Sequence, residues 1–191
     1  IYFSGASGNV TAGKYNSGKR QNRAVLSNRL HAAMALAWKN TRRQVLKQIE
    51  FRNAELFLKP RDHPGFTEAD FEKKLVKGVN HWHQCLAALG LSWRRRCELG
   101  QPVDVPAIDF GPAQLLLLPG ESYVEYQLAA QKMRPDSFVL VAGYGEGGTG
   151  YVPTEKHWEE KDGNLGDWCW VHPGAEKLLL EAIEKVLVKT P

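Results

Sequence analysis

The densest glycine cluster of the chain lies between an apolar run and a rigid segment. Phe138–Ala142 is entirely apolar, Gly143–Gly150 contains five glycines, and Tyr151–Thr154 continues through a proline. The apolar run predicts a buried strand, and glycines persist where the backbone takes positive φ or approaches a ligand closely. We interpret the cluster as one wall of a site, with Gly143, Gly145 and Gly148 at the substrate and their amides as oxyanion contacts.

A carboxylate and a phenol follow two predicted strand ends. Glu121 comes directly after Pro119-Gly120, and Tyr151 comes directly after the glycine cluster. A carboxylate at this point lies at the mouth of a sheet and at the start of a helix. The helix dipole also favours an acid there, so a purely structural role remains open, as does a packing role for the tyrosine.

A third candidate segment matches part of a phosphate-binding pattern. Gly8–Lys14 has the spacing GxxxxGK, but the following residue is Tyr15 where the pattern requires a small hydroxyl that contacts magnesium. We favour a loop in which Gly8, Asn9 and the Thr11 hydroxyl approach an oxyanion, and we keep a phosphate loop as the less favoured alternative.

The histidines and cysteines point less clearly to chemistry. His81-Trp82-His83 permits a metal site on a strand, but the surroundings predict a helix, on which the two imidazoles diverge. The three cysteines share no CxxC spacing, and Cys169 between two tryptophans is best interpreted as a buried structural thiol.

The order of predicted elements brings the candidates together. A strand, a loop and a helix follow one another around Phe3, around Leu118 and less regularly around Ala142. Loops at the carboxyl edge of parallel strands converge, so we expect residues 4–14, 119–121 and 143–151 to meet. The predicted fold class is α/β, with a mixed, partly parallel sheet flanked by helices, in a single domain spanning residues 1–191.

Several elements are predicted individually. We expect a helix with an apolar face from Asn22 to about Asn40, two strands within residues 44–58, and a strand at residues 1–3. Thr67 and Asp70 form a capping-box pattern that starts a helix through Lys77. A second helical stretch from about Val79 to Leu99, interrupted at Gly90, has apolar positions that suit a helical hairpin packed on a sheet, and a last helix opens at Pro173.

Composition narrows the function classes. The 191 residues are 43% hydrophobic with a net charge of +4, which gives little support to nucleic-acid binding. No apolar stretch approaches the length of a membrane span, and no signal peptide opens the sequence. We therefore expect a soluble protein that acts on a small-molecule or lipid-like substrate.

Three segments, in this order, resemble the neutral/alkaline non-lysosomal ceramidase family. They are Gly8–Thr11, Leu118–Glu121 and Gly150–Thr154, supported by residues 120–128 and 134–137. The resemblance is strongest to bacterial ceramidase-like proteins and covers the C-terminal part of the family's catalytic domain. It implies a zinc-dependent hydrolase of an amide (N-acyl) or related bond. Related proteins are exported, and the residues of this chain leave its compartment open.

The resemblance also assigns roles to residues. It implies that Glu121 and Tyr151 are zinc ligands, with two histidine ligands expected upstream of this chain in a preceding segment or partner chain. It places Thr11 and Asn9 at the catalytic segment, where the family has Gly-Asp-Val-Ser-Pro. The alternatives are a non-catalytic α/β module that binds a small ligand or glycan, and the phosphate-loop protein considered above.

Overall fold

The computed structural model describes residues 2–77 and 80–188. Six helices and six strands are assigned within them. The helices are α1 (Asn22–Lys39), α2 (Glu68–Lys77), α3 (His81–Glu98), α4 (Val124–Met133), α5 (Glu155–Glu159) and α6 (Ala175–Leu187). The strands are β1 (Glu50–Leu56), β2 (Val103–Asp109), β3 (Ala113–Pro119), β4 (Glu121–Ser122), β5 (Phe138–Gly145) and β6 (Tyr151–Val152).

The strands form two sheets. The larger sheet has the order β1-β2-β3-β5, in which β1/β2 and β2/β3 pair antiparallel and β3/β5 pair parallel. A second, two-stranded sheet is formed by β4 and β6 in parallel. The prediction of an α/β fold with a mixed, partly parallel sheet and flanking helices is confirmed.

The core lies against one face of the larger sheet. Side chains alternate along β2, where Val103, Val105 and Ala107 are buried, and α6 packs on β1 and β2 with Leu179 and Ile183 fully buried. Burying a side chain of this size contributes about 1.5–3 kcal/mol. The C-terminal helix is therefore a principal stabiliser of the sheet.

The other face of the larger sheet is only partly covered. Phe51, Ile108, Leu115 and Leu140 occupy paired positions on four neighbouring strands, and Phe51 and Leu140 are exposed. The same difference between the faces is visible along β3, where Leu115 and Leu117 are half-buried while Leu116 and Leu118 are buried. One-sided packing produces this alternation.

In the first half of the chain the predicted helix is confirmed, and two strand predictions are wrong. Helix α1 forms over Asn22–Lys39 but buries none of its residues, because no other described element packs closely against its predicted apolar face. Residues 44–49 are irregular, so the predicted pair of strands is the single strand β1. Tyr2 and Phe3 lie outside any strand, and Ile1 falls outside the described residues.

Helices α2 and α3 show how local sequence sets their limits. The Thr67 hydroxyl accepts a hydrogen bond from the Asp70 backbone N–H at 3.2 Å, and the Asp70 carboxylate accepts one from the Thr67 N–H at 3.2 Å, which confirms the capping box. Helix α3 spans His81–Glu98, close to the predicted stretch, but it is continuous through Gly90, where the prediction placed an interruption. A Cβ at Gly90 would overlap the rings of Phe71 and Trp170, so glycine there allows close packing.

The last helix begins later than predicted. Pro173 precedes it, and Gly174 with φ +97° makes the turn into α6 at Ala175. Within residues 2–77 and 80–188, no helix combines the length and apolar character needed to cross a membrane.

Candidate functional site

The short sheet of β4 and β6 brings the two predicted metal ligands together. Glu121 and Tyr151 are directly paired residues of the parallel strands. The Glu121 backbone N–H donates to the Gly150 carbonyl at 2.9 Å, and the Tyr123 N–H donates to the Val152 carbonyl at 3.2 Å. Main-chain hydrogen bonds thus set the relative position of the carboxylate and the phenol.

Two glycines make this approach possible. Gly120 has φ +48° and Gly150 has φ +63°, conformations that residues with a Cβ rarely adopt. A Cβ at Gly120 would overlap the Thr149 side chain, and one at Gly150 would overlap the Trp168 carbonyl. Glycine is therefore required immediately before each candidate ligand.

The three predicted loops meet at this edge of the larger sheet. The Gly8 N–H donates to the Ser122 carbonyl at 3.1 Å, and the Gly143 N–H donates to the Ser4 carbonyl at 2.7 Å. The Ser7 and Tyr144 hydroxyls lie 3.0 Å apart. The expected convergence of residues 4–14, 119–121 and 143–151 is confirmed for the part of the first loop up to Asn9.

Most of the glycines proposed at the substrate have a packing role in this structure. A Cβ at Gly8 would overlap the Glu121 carbonyl, one at Gly143 the Gly5 carbonyl, and one at Gly145 the Leu118 carbonyl. Gly148 differs because no atom lies within 4 Å of the position that its Cβ would take. Gly145 and Gly148, together with Gly147, face a cavity of about 210 Å³ that also includes Glu121.

The predicted catalytic segment divides into two parts. The Asn9 side-chain oxygen accepts a hydrogen bond from the Val124 N–H at 2.9 Å, and its amide donates to Glu125 at 2.9 Å, so Asn9 holds the start of α4. Thr11 is exposed, and its hydroxyl forms no hydrogen bond within the described chain. The structure therefore gives Asn9 a positioning role and leaves Thr11 at the surface.

The phosphate-loop alternative lacks the required architecture. Such a loop connects a strand directly to a helix N-terminus, where backbone N–H groups surround the phosphates. None of residues 2–7 lies in a strand, helix α1 begins eight residues after Lys14, and the Gly8 N–H is already bonded to the Ser122 carbonyl. This alternative is wrong.

Glu121 and Tyr151 open into a cavity of about 400 Å³. It is lined by aromatic, amide and acidic side chains from four segments: Trp82, Glu121, Tyr151, Gly163, Asn164, Asp167 and Trp168. The Trp168 indole N–H donates to one Glu121 oxygen at 2.5 Å, and the rings of Trp82 and Trp168 are parallel with centroids 5.9 Å apart. One carboxylate oxygen of Glu121 thus remains available to a ligand.

The Tyr151 phenol favours its protonated form. Burial raises its pKa, and the negative charge of Glu121 raises it further. Tyr123 packs edge-on against Tyr151 at 5.8 Å and donates its hydroxyl to Asp162 at 3.0 Å. In the chain by itself Tyr151 is a neutral hydrogen-bond donor, and a nearby cation would be needed to favour its phenolate.

The described residues fit only part of a metal centre. Glu121 and Tyr151 supply two oxygen atoms at one cavity, which suits zinc when imidazole ligands complete the set. The structure contains no group of three or more His, Cys, Asp or Glu side chains that could hold a metal among residues 2–77 and 80–188. The remaining ligands would have to come from other polypeptide.

A larger trough adjoins the glycine-lined cavity through Leu89 and Gly148. It has a volume of about 580 Å³, and α3 supplies most of its lining, in which Ala88 and Leu91 lie beside Arg95 and Arg96. Leu89 and Gly148 border both spaces. The two spaces are therefore neighbours along this surface.

Sequence reasoning missed the aromatic residues of the cavity. Trp82 lies between the two histidines that drew attention to α3, yet His83 bonds Asn80 at the helix start through its ring at 2.7 Å. Trp168 was considered only as a neighbour of Cys169. The sequence signal was tryptophan beside polar residues, in His81-Trp82-His83 and in Asp167-Trp168, but only the tertiary fold pairs residues 82 and 168.

The fold and the cavity define an α/β domain with a polar, aromatic-lined site at the edge of its sheet. No protein-family model matches the chain, and no curated protein matches it either. Its fold resembles the crystal structure of neutral ceramidase from Pseudomonas aeruginosa, with a TM-score of 0.55 and 18% sequence identity over 98% of this chain. The chain spans 38% of that ceramidase chain.

A second solved structure is a ceramidase complexed with C2. It is 16% identical and covers 83% of this chain and 34% of its own, with a TM-score of 0.48. This value is too low to add support. The first comparison agrees with the sequence resemblance to ceramidases, and at this identity it shows the fold.

Proposed function

We propose that this chain contributes part of the active site of a ceramidase-like, zinc-dependent hydrolase that cleaves an amide (N-acyl) or related bond. The observation that carries the proposal is the direct pairing of Glu121 and Tyr151 at one cavity. The ceramidase-like fold supports it. In this proposal the chain is the C-terminal portion of a larger catalytic domain, and two histidines of other polypeptide complete the zinc site.

The residues of the cavity have distinct tasks in this reaction. Trp168 orients the Glu121 carboxylate through its N–H, and Glu121 and Tyr151 would hold zinc through their oxygen atoms. Zinc, when bound, supplies a Lewis acid that makes water nucleophilic near neutral pH. Hydrolysis breaks the C–N bond, transfers the water oxygen to the acyl carbon and releases the nitrogen as an amine.

The glycine cluster supplies hydrogen-bond donors at the reacting carbonyl in this proposal. The backbone amides of Gly147 and Gly148 form no hydrogen bond with another described residue, and both glycines line the cavity that includes Glu121. Free amides aimed at a developing oxyanion are an effective catalytic arrangement. The adjoining trough on α3 combines leucine side chains with Arg95 and Arg96, so in this proposal it would take a substrate with both apolar and anionic or polar groups.

The experiment measures zinc content and amide hydrolysis in the complete gene product. We expect about one zinc per chain, and we expect both zinc and hydrolysis to be lost in Glu121→Gln and Tyr151→Phe. Glu159→Gln and Tyr15→Phe are matched controls, because both residues are exposed and lie outside the cavity. Retention of zinc and full activity in Glu121→Gln would refute the assignment.

A second candidate function is non-catalytic binding of a small polar ligand or glycan. The parallel indole rings of Trp82 and Trp168 favour it, because they form an aromatic surface in the cavity without any metal. This function would be supported by a complete gene product that binds a small polar ligand or glycan, contains no zinc and hydrolyses no amide.

A further inference from the structure

The cavity in front of Glu121 contains an aromatic platform. Trp82 and Trp168 lie with their ring planes 3° apart, and 57% of Trp82 is exposed. Trp168 is fixed by its hydrogen bond to Glu121 and by contact with Trp170 at a ring separation of 5.2 Å. An indole face held in this way presents a flat, apolar, electron-rich surface to a ligand.

Two polar side chains stand beside the platform without partners. Asn164 and Asp167 line the same cavity, and neither side chain forms a hydrogen bond within the described chain. The turn that carries Asn164 is anchored by Asp162, which accepts from the Asn164 backbone N–H at 2.9 Å and from the Tyr123 hydroxyl at 3.0 Å. These two side chains are therefore positioned and available for a ligand.

This combination of groups matches a sugar ring. A pyranose has an apolar face of C–H groups that stacks on an aromatic ring, and a rim of hydroxyls that both donate and accept hydrogen bonds. The Asn164 amide offers donors and an acceptor, and the Asp167 carboxylate offers acceptors. An ammonium ion could use the rings and the carboxylates, but it cannot use the amide donors.

We propose that this cavity binds a pyranose ring stacked on Trp82 and hydrogen-bonded by Asn164 and Asp167. Because the ring would lie beside Glu121 and Tyr151, the substrate of the hydrolysis is an N-acylated amino sugar. This assignment of the substrate rests on the proposed function. Water would be consumed, the C–N bond would break, and a carboxylic acid and a free amino sugar would form.

The ring-binding step is tested without any metal. Methyl β-glucopyranoside and N-acetylglucosamine are titrated against the complete gene product in the presence of a chelator, with saturation-transfer NMR and calorimetry as readouts. We expect binding in the millimolar range, weakened by about 3- to 10-fold in Trp82→Ala. Asp167→Asn is expected to weaken binding as well, and Trp82→Phe to retain part of it.

A matched control separates stacking from general effects of removing tryptophan. Trp38 on α1 is more exposed than Trp82 and lies outside the cavity, so Trp38→Ala is expected to bind like the wild type. Circular dichroism confirms that each variant is folded. Equal affinity in Trp82→Ala and wild type, or no saturation transfer from either sugar, would overturn the inference.

The two proposals can fail separately. If the sugars bind but no zinc is retained, the zinc assignment fails and the pyranose site remains. If zinc is bound and simple N-acyl lipids are hydrolysed while no pyranoside binds, the proposed function stands and the sugar inference is wrong.

Discussion

Replacing Gly150 with alanine should destabilise the fold far more than the addition of one methyl group suggests. Gly150 has φ +63°, and its carbonyl accepts the hydrogen bond from the Glu121 N–H that joins β4 to β6. A Cβ at this position would overlap the carbonyl of Trp168, which itself accepts a hydrogen bond from the Tyr151 N–H at 2.7 Å. The overlapped group is backbone, so it cannot move aside by changing a rotamer.

The magnitude follows from two terms. A left-handed conformation costs an L-residue about 1–2 kcal/mol. Forcing an extra carbon into a packed position costs about 1–3 kcal/mol. We therefore expect Gly150→Ala to lower the free energy of unfolding by about 2–5 kcal/mol, a large part of the roughly 5–15 kcal/mol available to a folded protein.

Urea denaturation followed by tryptophan fluorescence measures this change. Slopes for small proteins are about 1–3 kcal/mol per molar urea, and at a middle value of about 2 the midpoint should fall by about 1–2.5 M. Gly163→Ala is the matched control, because Gly163 has no positive φ and no atom within 4 Å of its Cβ position, so its change should stay within about 0.5 kcal/mol. An equally small change in Gly150→Ala would refute the argument.

Two further predictions concern titratable groups. Burial raises the pKa of the Asp109 carboxyl, but hydrogen bonds from the Gly111 N–H, the Gln114 amide and Arg52 outweigh it, and the net pKa is lowered. The stability that the ionised carboxylate contributes is present above the unfolded pKa of about 3.9 and is lost as the pH falls through the folded pKa. Urea midpoints measured from about pH 5 to pH 2 should therefore fall more steeply in the wild type than in Asp109→Asn. Burial raises the pKa of the Cys97 thiol to about 11 and that of the Cys169 thiol to about 12. Iodoacetamide at about pH 8 should therefore label the exposed Cys85 first and Cys169 only after unfolding. Mass spectrometry of the labelled peptides measures this order. Labelling of Cys169 at the rate of Cys85 would contradict the structure.

The predictable part of this fold is the part with strong local signals. The apolar run from Phe138 formed β5, the Thr67 and Asp70 capping box formed the start of α2, and the loops met at the carboxyl edge of parallel strands. Each of these depends on a few neighbouring residues or on a general rule of sheet topology. Such features do not require knowledge of distant contacts.

The failures arise where tertiary contacts decide. Apolar spacing from Asn22 to Asn40 gave the correct helix but the wrong burial, since spacing does not tell whether another element covers it. Gly90 was interpreted as a helix interruption, but in the structure the rings of Phe71 and Trp170 occupy the space that a side chain at position 90 would fill. Strands β4 and β6 have two residues each, too short for any periodicity to reveal.

The candidate site was anticipated in part. Glu121, Tyr151 and the glycine cluster were singled out from strand ends and from a family resemblance. The structure brings Glu121 and Tyr151 to one cavity, and Glu121 and several of the glycines to another. Trp82, Asn164 and Asp167 come from segments far apart in sequence, so no spacing could group them. Their roles, like those of the predicted zinc ligands, stay predictions until the binding experiments are made.

Main-chain hydrogen bonds and two glycines set the relative position of residues 121 and 151, so the backbone geometry of the site does not depend on which functional groups the two side chains carry. Exchanging either side chain should leave the pairing of the two strands intact. An ancestral scaffold of this kind can acquire new reactions by single substitutions, and an engineer can install a different pair of functional groups at the same two positions.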